Sequence, residues 1–299
     1  MKKCPKCNKI NKNGEARFCK SCKAELVSTN HFKTKNADDT ILTLYFSGTG
    51  NTKYIAQSFS RKMDSKCLSI EADISFSDEI KRHNIIAFCY PIYGSRVPRI
   101  MREFVSAHMD ELTGKKIIIF ATQFMFSGDG ARAFSDMFKQ SEPEIIYAEH
   151  FSMPNNICNF PLLKKPSKKK VRRHLVKSET KIEKVCRNLK EGIIVKRGFS
   201  RLSRMLGNTQ GKTWQGNNNT GFEHKAKSGV KIAKNCTACN LCVSICPMKN
   251  LENIKNKIKP KDNCTVCYRC VNRCPRKAIT VMMFHKKPKW QYNLKSQNT

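Results

Sequence analysis

The sequence predicts an α/β protein built on a doubly wound parallel sheet over residues 40–193. A small α+β module over residues 230–285 and a cysteine-bound unit over residues 1–26 complete it. Three observations carry this expectation. Between Thr40 and Ile193, short apolar runs alternate with stretches whose apolar residues recur at helical spacing. Near the C-terminus, Cys236, Cys239, Cys242 and Cys246, then Cys264, Cys267, Cys270 and Cys274, repeat one C-x2-C-x2-C-x3-C-P pattern. At the N-terminus, Cys4-Pro5-Lys6-Cys7 and Cys19-Lys20-Ser21-Cys22 form two CxxC knuckles.

The 299 residues suit two ordinary domains plus smaller pieces. The chain starts Met1-Lys2-Lys3-Cys4-Pro5 without the apolar core of a signal peptide. Its apolar runs are short, Ile117–Ala121 being strand-sized, and none approaches the length needed to cross a membrane. Sixteen cysteines in such a chain point to metal binding in a reducing cytoplasm rather than to disulfides. With 57 Lys and Arg against 23 Asp and Glu, the formal net charge is +34. A partner is therefore expected to be acidic: a redox protein, an anionic membrane surface or nucleic acid.

In residues 1–26 the two knuckles can close one tetrahedral thiolate site through Cys4, Cys7, Cys19 and Cys22. The unit resembles a zinc ribbon, with a single rubredoxin-like iron as the redox alternative. Residues 27–39 are polar and read as a linker.

Ile41–Phe46 is nearly continuous in apolar residues, as a strand buried on both faces requires. Cys67–Ile70, Ile85–Tyr90, Lys116–Ala121 and Glu144–Tyr147 are the further strands. Helices are expected over Lys53–Met63, over Val97–Met109 and after Gly130. The turn after the first strand, Ser47-Gly48-Thr49-Gly50-Asn51-Thr52, presents small side chains and backbone N–H groups at a helix start, which suits a phosphate. It is neither G-x-G-x-x-G nor a Walker loop. The loop after the third strand, Tyr90-Pro91-Ile92-Tyr93-Gly94-Ser95, offers an aromatic ring and a glycine. The loop after the fourth runs from Thr122 to Gly130 and contains Gln123, Phe124, Ser127 and Gly128.

These loops meet at one switch point if the strand order is 2-1-3-4-5. Residues 40–193 then resemble a flavodoxin-like FMN domain. The resemblance implies Ser47, Thr49, Gly50, Asn51 and Thr52 at the phosphate. It also implies Pro91, Ile92, Tyr93 and Gly94 against the flavin, with Gln123, Phe124, Ser127 and Gly128 along the other edge. The bland reading is that Tyr93 is ordinary packing and that the loops frame a different pocket. The acidic clusters of free-standing flavodoxins are absent from these loops.

The two long cysteine runs have the spacing of bacterial ferredoxins that hold two [4Fe–4S] clusters. Three closely spaced thiolates wrap three corners of a cubane, and the fourth faces a second site. Cys236, Cys239, Cys242 and Cys274 are therefore expected at one cluster, and Cys264, Cys267, Cys270 and Cys246 at the other. Structural zinc is the alternative, though zinc sites favour two short knuckles. Ile232, Ile245, Ile258 and Ile279 are expected to cover the clusters. Ferredoxins often carry glycine before the third cysteine, where this chain has Asn240 and Tyr268.

Residues 168–193 show helical spacing through Val171, Leu175, Ile182, Val185, Leu189 and Ile193. They read as the last helix of the sheet domain, or alternatively as a docking helix for an anionic surface. Residues 194–229 read as linker. Gly211-Lys212-Thr213 is not a P-loop, because Leu206 stands where glycine is required. Residues 286–299 form a tail. Cys67, Cys89, Cys158 and Cys186 read as core residues.

The domain order resembles the EFR1-type flavodoxin/ferredoxin fusion family, with Pro154-Asn155-Asn156 and Tyr292-Asn293 as weaker similarities. That resemblance implies an electron-transfer protein relaying electrons between FMN and two [4Fe–4S] clusters and exchanging them with an acidic redox partner. Two clusters, a Zn2+ site and a flavin phosphate, at about −2 each, leave a net charge of roughly +26. One alternative is a flavin-dependent reductase of a small substrate. Another is a redox-sensing regulator on nucleic acid, a partner the motifs favour least.

Overall fold

The computed structural model describes residues 40–126, 128–138, 143–216, 221–282 and 287–294, with the backbone of 2–3, 10–11 and 27–28. Strands β1 (Lys2–Lys3), β2 (Ile10–Asn11) and β3 (Val27–Ser28) pair antiparallel with β1 in the middle. β3 lies beyond residue 26, so the N-terminal unit takes in the start of the expected linker. Cys4, Cys7, Cys19 and Cys22 lie outside the described residues.

β4 (Ile41–Tyr45), β5 (Lys66–Ser69), β6 (Ile85–Pro91), β7 (Lys116–Gln123) and β8 (Glu144–Ser152) are the five expected strands. They run parallel in the order β5-β4-β6-β7-β8. A sixth, β9 (Val195–Lys196), adds itself beside β8. Sequence reasoning left it in the linker, because two residues carry no periodicity.

β6 shows why its run is apolar throughout. Ile85, Ala87 and Cys89 face a core shared with α1 (Asn51–Met63) and α6 (Lys168–Lys190). Ile86, Phe88 and Tyr90 face a second core, with α2 (Phe76–Lys81), α3 (Arg99–Ala107), α4 (Met109–Leu112) and α5 (Gly130–Ser135). Helices on both faces leave no polar side to alternate with. Val171, Ile182, Val185 and Leu189 of α6 are buried against the sheet, so its apolar stripe serves the domain. The expected helix over 97–109 breaks at His108 into α3 and α4. α2 went unpredicted; Ser75 starts it, its side chain accepting from the Asp78 N–H. Cys89, Cys158 and Cys186 are buried and Cys67 half-buried, as expected of core cysteines.

The expected linker carries two helices, α7 (Arg201–Gln215) and α8 (Phe222–Lys227). Beyond them, β10 (Lys231–Ile232) pairs with β13 (Ile279–Thr280), and β11 (Leu251–Ile254) with β12 (Lys257–Pro260). Lys255 and Asn256 join the hairpin with φ of 48° and 59°, the left-handed pair of a tight two-residue turn. Short helices α9 (Leu241–Ser244) and α10 (Arg269–Arg273) follow Asn240 and Tyr268. Those two residues stand at φ 60° and 61°, the conformation for which glycine is usual. Tyr268 is held there by burial of its ring in the module core, where its hydroxyl lies 3.4 Å from Met282 Sδ. Ile258 and Ile279 are buried in that core and Ile232 packs against it, whereas Ile245 is half-buried.

One buried group makes the sheet domain pH-sensitive. Burial, then Arg197 and Lys181, push His150 down from 6.5 to about 4. The folded chain thus binds fewer protons than the unfolded chain below pH 6.5. The stability this contributes is complete above 6.5 and is lost as pH falls toward 4. Between pH 7 and 5 the loss should be about 2 kcal/mol. Urea melts over that interval should show a flatter slope for His150→Gln than for the parent; equal slopes would count against the assignment.

Candidate functional site

The strand ends at the switch point between β4 and β6 open into a cleft of about 790 Å³ of non-atom space, mouth included. Ser47, Thr49, Asn51 and Thr52 line it from the first loop, Pro91, Ile92, Tyr93 and Gly94 from the second, and Gln123 and Phe124 from the third. Two expected residues, Gly50 and Gly128, fall elsewhere, and a third is not described. Gly50 caps α1 at φ 99° with its open side against Leu294, Gly128 faces Ser95 and Gly207, and Ser127 lies outside the described residues.

The first loop is held rigidly. Thr52 Oγ1 and Thr122 Oγ1 are 2.7 Å apart, and the Asn51 amide donates to the Pro154 carbonyl at 2.8 Å. Asn156 Nδ2 donates to Thr49 Oγ1 at 3.0 Å. From the tail, the Tyr292 hydroxyl donates to Asn51 Oδ1 at 2.7 Å and Leu294 N–H to the Thr49 carbonyl at 3.1 Å. This explains why the two weak similarities, 154–156 and 292–293, sit so far apart in the sequence: both brace one loop. The first turn of α1 carries no acidic residue that would oppose an anion at its N-terminus.

The cleft also has walls that sequence reasoning missed. Met153, Pro154, Asn156 and Ile157 come from the end of β8, Trp214 from α7, and Val266, Tyr268 and Met282 from the C-terminal module. Only Pro154-Asn155-Asn156 had left a signal, as a motif without a role.

The eight cysteines of the module line two separate spaces. Cys236, Cys239, Cys242 and Cys274 surround one enclosed space, together with Ile258 and Ile279. Cys246, Cys264, Cys267 and Cys270 surround another, with Tyr268 and Arg269. Backbone N–H groups aim at sulfur in two matching pairs: Ala238 to Cys236 at 3.4 Å and Val266 to Cys264 at 3.3 Å, then Asn250 to Cys246 and Ala278 to Cys274 at 3.3 Å. Burial pushes Cys267 up to about 12, and Cys264 and Cys242 up to about 11. As thiolates, such groups need a cation beside them. Among the described residues no three His, Cys, Asp or Glu side chains gather at the short range that a single metal ion needs.

The second set adjoins the cleft. Tyr268 lines both spaces, and Cys267 packs into the core of the sheet domain. A Cβ on Gly48 would stand 2.1 Å from the Cys267 carbonyl oxygen. Between Cys267 and Cys270, Arg269 donates to the Ser47 carbonyl at 2.7 Å, to Ile245 at 3.0 Å and to both Glu71 oxygens at 2.8 and 2.9 Å. The first set lies toward solvent, where Cys239 is exposed.

Sheet order, small-residue loop and cleft define a flavodoxin-type α/β domain. Residues 42–155 match the family model described as the Flavodoxin domain. Among solved structures, the chain is similar to two-electron-reduced flavodoxin from Megasphaera elsdenii, at 19% identity over 48% of this chain and 99% of that one, TM-score 0.34. It is also similar to oxidised Flavodoxin 2 from Bacillus cereus, at 16% identity over 50% and 99%, TM-score 0.35. A third is general stress protein 14 from Treponema denticola in complex with FMN, at 13% identity over 50% and 99%, TM-score 0.37. The sequence match carries the assignment of the segment, not these superpositions. No curated protein matches the chain. Among the described residues no helix is long and apolar enough to cross a membrane.

Proposed function

We propose that this chain is an electron-transfer protein of the flavodoxin/ferredoxin fusion type, holding FMN in the cleft and a [4Fe–4S] cluster in each four-cysteine cavity. When bound, FMN exchanges two electrons and each cluster one. The observation that carries the reading is the shared wall: Tyr268 and the backbone of Cys267 separate one cysteine cavity from the cleft by a single layer of residues.

The residues present fit these groups. Thr49, Asn51, Thr52 and the N–H groups opening α1 suit a phosphate, and Tyr93 and Phe124 flank space for a flat ring. Gln123 Oε1 is enclosed in the cleft wall without a hydrogen-bond donor, so a ring N–H would satisfy it. In the module, four N–H···S contacts offset negative charge on the thiolates. Arg269 holds the inner cavity against the first loop. Cys239 is exposed and lines the outer cavity together with exposed Arg276, which gives that cavity a basic approach for an acidic redox partner. Zinc at Cys4, Cys7, Cys19 and Cys22 remains part of the proposal. A reductase acting on a small substrate would need open space above Tyr93, and Trp214 stands there with its ring centre 6.2 Å away.

Anaerobic purification followed by iron, sulfide, zinc and flavin counts tests the reading. About eight irons in cubane form per chain are expected, with one flavin and one zinc. Cys274→Ala, at the outer cavity, should remove about half of the iron and spare the flavin. Colourless protein, or a full iron count in that variant, would sink it.

A further inference from the structure

The interdomain helix α7 lies outside the matched segment 42–155 and belongs to no part of the site that sequence reasoning assigned. We propose that it is a wall of the ring site, and that Trp214 Nε1–H donates a hydrogen bond to an acceptor atom on the edge of the flavin. The inference rests on the reading of the cleft as an FMN site.

Trp214 lines the cleft, yet its indole nitrogen is enclosed and has no hydrogen-bond partner among the described residues. An indole N–H can only donate, and leaving such a group buried and unpaired is costly. The other tryptophan makes the contrast: Trp290 Nε1 donates to the Leu163 carbonyl at 3.1 Å. The enclosed acceptor Gln123 Oε1 belongs to the same cleft. A ligand carrying both a carbonyl or ring-nitrogen acceptor and a ring N–H would satisfy the two orphans together, and a flat heteroaromatic with an imide edge has both.

The helix is seated for this purpose on one face, at positions 207, 210, 211, 214 and 215. Gly207 lies so close to Asp129, and Gly211 to the Arg96 guanidinium, that a Cβ at either would fall within 2 Å of the neighbour. Ser95 Oγ donates to Gln210 Oε1, and Arg96 Nε donates to Gln215 Oε1 at 3.1 Å. Gly94, at φ 54°, lets the loop pass under Trp214; a Cβ there would sit 2.5 Å from the Trp214 Cβ. The two glycines of α7 bring its backbone down to the second and third loops, and Trp214 is carried over the mouth as a result.

The test is titration of FMN into the flavin-stripped full-length chain. The chain has two tryptophans, so the difference between parent and Trp214→Phe isolates Trp214. Parent emission should fall strongly on binding, while Trp214→Phe should lose most of that quenching. The FMN dissociation constant should rise about tenfold in Trp214→Phe, which keeps a ring but not the N–H, as expected for one lost hydrogen bond. Gly207→Leu, whose Cβ would meet the Asp129 backbone nitrogen at 2.7 Å and so must shift α7 against the third loop, leaves Trp214 chemically intact and should weaken FMN binding at least as much. An unchanged constant and equal quenching in Trp214→Phe would overturn the role of Trp214 while leaving the FMN reading standing. Failure of the parent to bind FMN at all would overturn both.

Discussion

Arg269→Ala is expected to uncouple the C-terminal module from the sheet domain. The guanidinium joins the Ser47 carbonyl, the Ile245 carbonyl and the Glu71 carboxylate across the junction. Its side chain is only 16% exposed, so its contacts are little screened by water. Removing it leaves two carbonyls and a carboxylate short of donors, at a cost of about 3 kcal/mol. Lysine cannot restore the set, because one ammonium cannot span the fork of contacts that a planar guanidinium makes. With the proposed cofactors bound, urea unfolding followed separately by flavin fluorescence and by absorbance of the iron–sulfur groups should change from one shared transition to two. Coincident transitions at the parent's midpoint would refute the role of Arg269.

Gly48→Val should do comparable damage by steric means. Its Cβ would meet the Cys267 carbonyl at 2.1 Å, and both atoms are fixed to backbone. Neither neighbour has a flexible end that can swing aside, so the loop or the cysteine run has to shift, at a cost of about 3 kcal/mol. Because Ser47 and Thr49 flank the site, FMN affinity and the iron content of the cluster proposed for the inner cavity should fall together. Flavin and iron counts check it, and a variant with parental counts would mean that the two segments are not in contact.

Much of the sheet domain was legible because its signals are local. Ile41–Tyr45 and Ile85–Tyr90 are apolar at every position or nearly so, and only a strand covered on both faces permits that. The two cysteine triplets were legible for the same kind of reason, since two-residue gaps keep three sulfurs within one short loop. The helix α2 and the strand β9 were not legible, being too short to show a period. Asn240 and Tyr268 were legible as departures from glycine. That Tyr268 tolerates the left-handed conformation follows from a ring packed between module core and cleft, which no local rule contains.

The chain's own order of residues thus determined the alternation of strands and helices, the small-residue loop opening α1 and the two closely spaced cysteine triplets, Cys236, Cys239, Cys242 and Cys264, Cys267, Cys270, because each depends on neighbours within a few positions. Tertiary structure alone decided that the Cys246, Cys264, Cys267 and Cys270 set adjoins the cleft and that Cys239 faces solvent. It also decided that α7 closes over Tyr93 and that Tyr292 braces Asn51. The physical reason is range: those contacts join segments about a hundred residues apart or more, and only the close packing of complete domains selects them.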